Sequence, residues 1–253
     1  FRLFLWTHYN RFYRNMRILA LNPFHGGSHQ AFLDGWIKRS RHDWTVLTLP
    51  DEFWRWRMFC SAAHFADRLK TIDGEWDAVF CTSMMNLAEF KGLVSPAIGA
   101  LPAVVYFHEN QLTYPEGTHY KKDHRLMMIN FHTLQAADKA WFNSAFHRDE
   151  FLDSLRKWLS NIPGNLFQDT NFSPTEIHYP GINVLGFDKK QFSEPLRICW
   201  TARWEEDKNP QLFFDTLYAL KEMKVNFRVS VFGESLHLIP QCFQEAKVLL
   251  QDE

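Results

Sequence analysis

Along the chain, short apolar runs alternate with longer stretches in which apolar residues recur every three or four positions. The runs at 17–22 (RILALN), 44–50 (WTVLTLP), 77–83 (DAVFCTS), 102–108 (PAVVYFH) and 139–144 (KAWFNS) are nearly continuous. Unbroken apolar strands of this length are typical of a sheet covered on both faces. Between them, 28–40, 59–70, 123–137 and 145–159 read as helices. Ser28 stands where it can cap the first, and Phe59, Ala63 and Ala66 fall at helical spacing in the second. Strand–helix alternation of this kind predicts an α/β domain with a doubly wound parallel sheet.

The pattern breaks after Leu159. Residues 160–174 (SNIPGNLFQDTNFSP) carry the Pro, Gly, Asn and Ser density of a linker, and 175–183 (TEIHYPGIN) reads as a short strand entering a turn. A second cycle follows: a strand at 196–202, a helix at 209–223 with Pro210 in its first turn, and a strand at 227–234. The expected organisation is an N-terminal Rossmann-like domain over 16–174 and the start of a second over 175–253. About one and a half strand–helix units are too few for a typical sheet of about five or six strands, so the second domain reads as incomplete. Residues 1–15 read as an extension ahead of the first strand.

Composition narrows the function. In 253 residues, 46% hydrophobic and 23% charged content describe a folded soluble chain. A net charge of −1 gives no global basic field, so a nucleic-acid partner must be held by local patches. The 24 Phe and 10 Trp fit either a large core or stacking surfaces for sugars and bases. Cys60, Cys81, Cys199 and Cys242 are scattered without metal-site spacing; Cys81 and Cys199 read as buried thiols, in keeping with a cytoplasmic chain. No apolar run reaches the roughly 18 residues of a membrane span, and no helix shows the basic amphipathic stripe of a membrane-bound one.

Three loops sit at comparable positions after strands. HGGSH (25–29) opens a helix: Gly26 and Gly27 let the backbone approach a ligand or simply make a tight turn, and Ser28 and His29 lie at the helix N-terminus, which favours anions. In FHENQ (107–111), the polar His108, Glu109, Asn110 and Gln111 leave a buried strand directly, at the end of the sheet where ligands bind. The bland alternatives are a packed histidine and a polar turn. ARWEEDKNP (202–210) carries Arg203 and Lys208, able to neutralise a diphosphate, unless both are merely solvated beside Glu205, Glu206 and Asp207. WRWR (54–57) either stacks bases or packs amphipathically, and HYKKDHR (119–125) is either a phosphate-contacting patch or a solvated face. A glycine loop on one half and a cationic pair on the other suggest a cleft for a nucleotide-linked substrate.

Taken together, FHGGSHQAFLDGW, FWRWR, YFHENQLTYP, FNSAFHRDEFL and RWEEDKNPQLFF, spread from about Met16 to about Phe232, resemble the glycosyltransferase-like family that contains tRNA-queuosine mannosyltransferase. The resemblance implies a GT-B fold: two Rossmann-like domains, the first on the acceptor side and the second binding the donor, here truncated. It implies transfer of mannose from GDP-mannose to queuosine in tRNA with retention. His108 maps onto a histidine that contacts the donor sugar, and Arg203 and Lys208 onto the cations that hold the diphosphate. Gly26, Gly27, Ser28, His29, Glu109, Asn110 and Gln111 are then the expected substrate-binding residues. No metal ion or other cofactor is expected. The rival readings are a transferase acting on lipid or protein and a non-catalytic nucleotide-sugar-binding module.

Overall fold

The computed structural model describes residues 15–114, 121–182, 186, 195–235 and 239–250, and these fall into two compact units. In the first, β1 (Arg17–Asn22), β2 (Asp43–Thr48), β3 (Ala78–Thr82), β4 (Ala103–Phe107), β5 (Lys139–Phe142) and β6 (Thr175–Ile177) form one sheet. All pair in parallel in the order β2-β1-β3-β4-β5-β6. The chain leaves β1 toward β2 and returns to the other side as β3. The topological switch point, where open α/β sheets bind ligands, therefore lies at the carboxyl ends of β1 and β3.

Period-2 alternation sorts the strand side chains between two cores. Leu19, Leu21, Val79, Cys81, Ala103, Val105, Phe107, Ala140 and Phe142 point to a face covered by α2 (Trp54–Leu69), α3 (Leu87–Leu93), α5 (His124–Ala136) and α6 (Ala145–Ser160). Phe107 and Phe142 stack there at 4.9 Å between centroids, each ring's burial being worth roughly 1.5–3 kcal/mol. Ile18, Ala20, Phe80 and Tyr106 point the other way, onto Phe32, Leu33 and Trp36 of α1 (Gly27–Arg39). The doubly covered Rossmann-like sheet expected from the sequence is present.

Several details differ. β1 keeps the bounds of its apolar run, whereas β2 to β5 end one or two residues earlier than theirs, where pairing stops and polar groups begin. The helix expected from 59 starts at Trp54, with Phe53 left-handed (φ 51°) at its N-cap, so WRWR is helical, and Met58, Ala62, Phe65 and Leu69 continue one buried stripe. α3 and the single turn α4 (Pro96–Gly99) lie between β3 and β4, where the sequence reading had placed no helix. Residues 175–177, assigned by sequence to the second domain, instead extend the first sheet as β6. Glu176 fixes them there, accepting from Trp141 Nε1 at 3.1 Å and pairing with Lys139.

In the second unit, β7 (Leu196–Thr201) pairs in parallel with β8 (Phe227–Phe232), with α7 (Pro210–Glu222) and α8 (Gln241–Leu249) beside them. Phe214, Leu217, Phe227, Phe243 and Ala246 form its core. Pro210 does occupy the first turn of α7, after Asn209, whose side chain caps Leu212 N. α8 was not expected from the sequence. All four cysteines are free; Cys81 is buried and its thiol pushed up to about 12 by burial, but Cys199 on β7 is exposed, contrary to expectation.

Candidate functional site

The alternation that sends Tyr106 onto α1 sends His108, two residues later, the same way. Its ring lies 4.1 Å from that of His29 in the first turn of α1, with Phe32 and Tyr106 at 4.9 and 4.7 Å. His29 Nε2 in turn stands 3.4 Å from a carboxylate oxygen of Glu109. The loops after β1 and β4 thus meet, as expected for residues that follow strands of one parallel sheet. His147, which the sequence reading did not single out, completes the group from the first turn of α6. It is buried, and its Nδ1 lies 2.9 Å from Asn143 Oδ1, while Asn143 Nδ2 donates to His108 O at 2.8 Å. Ser144, the N-cap of α6, accepts from His147 N and sets the turn that aims it.

Electrostatics follow from this packing. Burial, reinforced by the neighbouring His29 and His147, pushes His108 down to about 3, so its imidazole is neutral at physiological pH. Burial also lowers His147, against the opposing pull of Glu109. For Glu109, burial acts to raise the carboxyl, but the hydrogen bond from His29 and the surrounding histidines outweigh it and keep the group ionised below its usual range. Three ring nitrogens in this cluster, His29 Nδ1, His108 Nε2 and His147 Nε2, are buried without a hydrogen-bond partner. Orphaned buried nitrogens are rare in folded proteins, and three in one cluster mark a place suited to hydroxyl groups.

The other expected residues have separate positions. α1 begins at Gly27, with extended Gly26 as its N-cap, so Ser28 is exposed within the first turn and is not the cap. Gly26 does permit a close approach, but of Asp51: a Cβ there would stand 1.9 Å from its Oδ2. Gly27 is left-handed (φ 50°) with open space where a Cβ would be. Asn110 Oδ1 accepts from Leu112 N and Thr113 N, both at 2.9 Å, and Nδ2 donates to Thr113 Oγ1; this side chain holds the loop in an Asx turn. Gln111 is buried, and its N–H donates to Asn130 Oδ1. Asn130 also donates to Ser83 O, and Ser83 Oγ to Glu109 O, so α5 and the end of β3 clamp the HENQ loop.

In the second unit, Arg203 and Lys208 follow β7 on one short loop, part of it a 3-10 turn (Glu206–Lys208). Arg203 Nη2 lies 3.4 Å from Glu205 and 3.9 Å from Asp207, and Lys208 Nζ 2.8 Å from Asp207. The pair therefore shares one carboxylate, yet both side chains remain about two-fifths exposed (44% and 39%), open to a stronger anion. Gly233 after β8 (φ 144°) lets its backbone lie against Ala202 O, and Trp204 N–H donates to Glu234 O. Among the described residues no group of three or more His, Cys, Asp or Glu side chains is arranged to hold a metal ion. No helix among them is long and apolar enough to cross a membrane.

Comparison with known proteins agrees with this architecture. The family model for the N-terminal part of tRNA-queuosine alpha-mannosyltransferase matches residues 17–172, which span the six-stranded sheet up to its last strand. A tRNA-queuosine alpha-mannosyltransferase of Drosophila melanogaster is 34% identical over 242 residues, covering 90% of this chain. The chain spans 64% of the length of that relative. It belongs to the tRNA-queuosine alpha-mannosyltransferase family.

Proposed function

We propose that the protein transfers mannose from GDP-mannose to the cyclopentenediol of queuosine in tRNA, with retention, as a cytoplasmic enzyme. The observation that carries the reading is the imidazole cluster at the carboxyl edge of the first sheet: a partly buried, neutral His108 whose Nε2 is buried and unpartnered, flanked by His29, His147 and an ionised Glu109. Neutral imidazoles both donate to and accept from hydroxyl groups, which is what holding a sugar or a diol requires. The family and the name of the Drosophila relative supply the sugar and the acceptor.

In this reading the first unit holds the transferred sugar and the acceptor. Arg203 and Lys208 of the second act on the donor diphosphate. Transfer breaks the bond from the anomeric carbon to the diphosphate oxygen, which keeps the electron pair, and forms one to the acceptor hydroxyl oxygen, whose proton passes to the departing diphosphate. Negative charge grows on the leaving diphosphate, so preorganised cations beside it lower the barrier. The diphosphate would displace Glu205 and Asp207 from Arg203 and Lys208. These two cations supply the countercharge, and the reading assigns no role to a metal ion. His29 and Glu109 orient His108, and Gly27 gives the ligand open backbone to approach.

The test incubates the full-length protein with labelled GDP-mannose and either queuosine-containing tRNA or the same tRNA lacking queuosine, with and without a chelator. Label appearing in tRNA only when queuosine is present, and equally with chelator, is the expected result. Label independent of queuosine, or no transfer at all, would overturn the reading.

A further inference from the structure

WRWR lies on the first turn of α2, where an amphipathic helix should turn its aromatics inward. Trp54 and Met58 do join a small core with Met84, Leu126 and Ile129, but Trp56, off that stripe, is 67% exposed, and Phe53 just before the helix 71%. Cations from α2 and α5 lie over the neighbouring, partly buried rings of Trp54 and Phe59. The Arg55 guanidinium lies 5.4 Å from the Trp54 ring and that of Arg125 5.3 Å from Phe59, which itself sits 6.4 Å from Trp56. Arg55 and Arg125 share the Asp123 carboxylate, at 3.2 and 2.8 Å, and Arg57 Nε is held by Pro50 O, a neutral partner. Three guanidinium groups, of Arg55, Arg57 and Arg125, are thus held by one carboxylate and one carbonyl. These partners leave the three guanidinium groups with more positive charge than Asp123 balances, in a chain whose net charge is −1.

This surface adjoins the candidate site. Phe24 packs in the same small core as Trp54 and Phe59, and its ring meets His29 at 5.6 Å. Met84, in that core too, follows Ser83, which holds the HENQ loop through Glu109 O. Exposed aromatic rings interleaved with guanidinium groups are what unpaired bases and their phosphates require. The rings stack on any base face, and the cations track the backbone.

We propose that the surface formed by Phe53, Trp56, Arg55, Arg57 and Arg125 docks a single-stranded segment of the RNA acceptor, next to the imidazole cluster. The proposal rests on the reading above that the acceptor is tRNA, and it adds where the unpaired loop lies. Trp56 provides the stacking platform. Arg57, held by a carbonyl and, among the described residues, by no carboxylate, is the cation best placed to exchange its partner for a phosphate.

The test measures binding of the full-length protein to a fluorescent RNA stem-loop with the sequence of the queuosine-bearing anticodon arm, by anisotropy over a range of salt. Trp56→Ala weakens binding roughly ten- to hundred-fold, Trp56→Phe retains most of it, and Arg57→Ala lowers the salt slope by about 0.7. Self-association is followed by sedimentation on the same samples. Unchanged affinity and salt slope in Trp56→Ala and Arg57→Ala overturn the proposal. So does a loss of self-association with RNA affinity intact, which would make the face an interface between copies. Failure of the wild-type protein to bind this RNA, or to transfer mannose to queuosine-containing tRNA, would instead overturn the tRNA reading itself.

Discussion

His108 is a histidine that the fold keeps from ionising. Its value of about 3 lies below the ordinary 6.5, so the unfolded chain binds a proton there that the folded chain refuses. Stability contributed by this group is fully present above about pH 6.5 and is lost as pH falls from there toward about 3. Between pH 6 and 5 the slope amounts to about 1.4 kcal/mol per pH unit. Urea unfolding of wild type and His108→Phe, which keeps an aromatic ring and removes both nitrogens, should therefore differ by a gap that grows in favour of the variant as pH is lowered through this window. A gap independent of pH would show that His108 ionises freely in the folded chain. Arg203 and Lys208 present the opposite case: half-exposed ions whose pairs with Glu205 and Asp207 are worth at most about 1 kcal/mol each. Alanine at either position should lower the turnover of the full-length protein on the order of a hundred-fold while leaving its melting temperature nearly unchanged. A loss of melting temperature in step with turnover would assign the pair a structural role.

At the scale of elements, the site depends on loops held by side chains of neighbouring elements. Asn130 on α5 donates to Ser83 O and accepts from Gln111 N–H, and Ser83 holds Glu109 O, so one buried Asn joins the ends of β3 and β4. In the second unit the corresponding device is Gly233. A Cβ there would stand 2.0 Å from Ala202 O, a backbone atom that cannot swing aside, in a conformation (φ 144°) other residues avoid. Gly27 is also left-handed, but nothing lies within 4 Å of its missing Cβ. Gly233→Ala should therefore cost more stability than Gly27→Ala, which should cost roughly 1–2 kcal/mol from backbone strain alone. Thermal unfolding of the two variants checks the order, and equal losses would mean that the loop after β8 shifts without penalty.

At the scale of the molecule, the fold was legible where burial imposes a period. Four of the five apolar runs became β1, β3, β4 and β5 inside the sheet, while the fifth became the edge strand β2, which buries only Leu47, and the switch from period 2 to helical spacing marked α1, α5 and α6. α3 escaped notice because seven residues hold too few turns to show a period. Its capping pattern, Asn86 accepting from Glu89 N, was nonetheless in the sequence. β6 was assigned to the wrong unit because three residues bear no mark of their partner, and the ties from Lys139 and Trp141 to Glu176 are long-range. That His108 and His29 come together was legible from their place after strands of one parallel sheet. Asn110, expected as a substrate contact with a polar turn as the alternative, forms the turn, and His147 was missed because only the fold brings α6 beside β4.

The central claim is that the imidazole nitrogens at the carboxyl edge of the first sheet hold the groups that react. Turnover of the full-length His108→Phe variant with GDP-mannose and queuosine-containing tRNA tests it most directly. The ring still packs on Phe32 and Tyr106, so the melting temperature at neutral pH should hold. The predicted result is a fall in kcat of roughly a hundred-fold from the loss of hydrogen bonding at the reacting sugar. Turnover near that of the wild type would contradict the account and leave His108 as a packed histidine at the end of a strand.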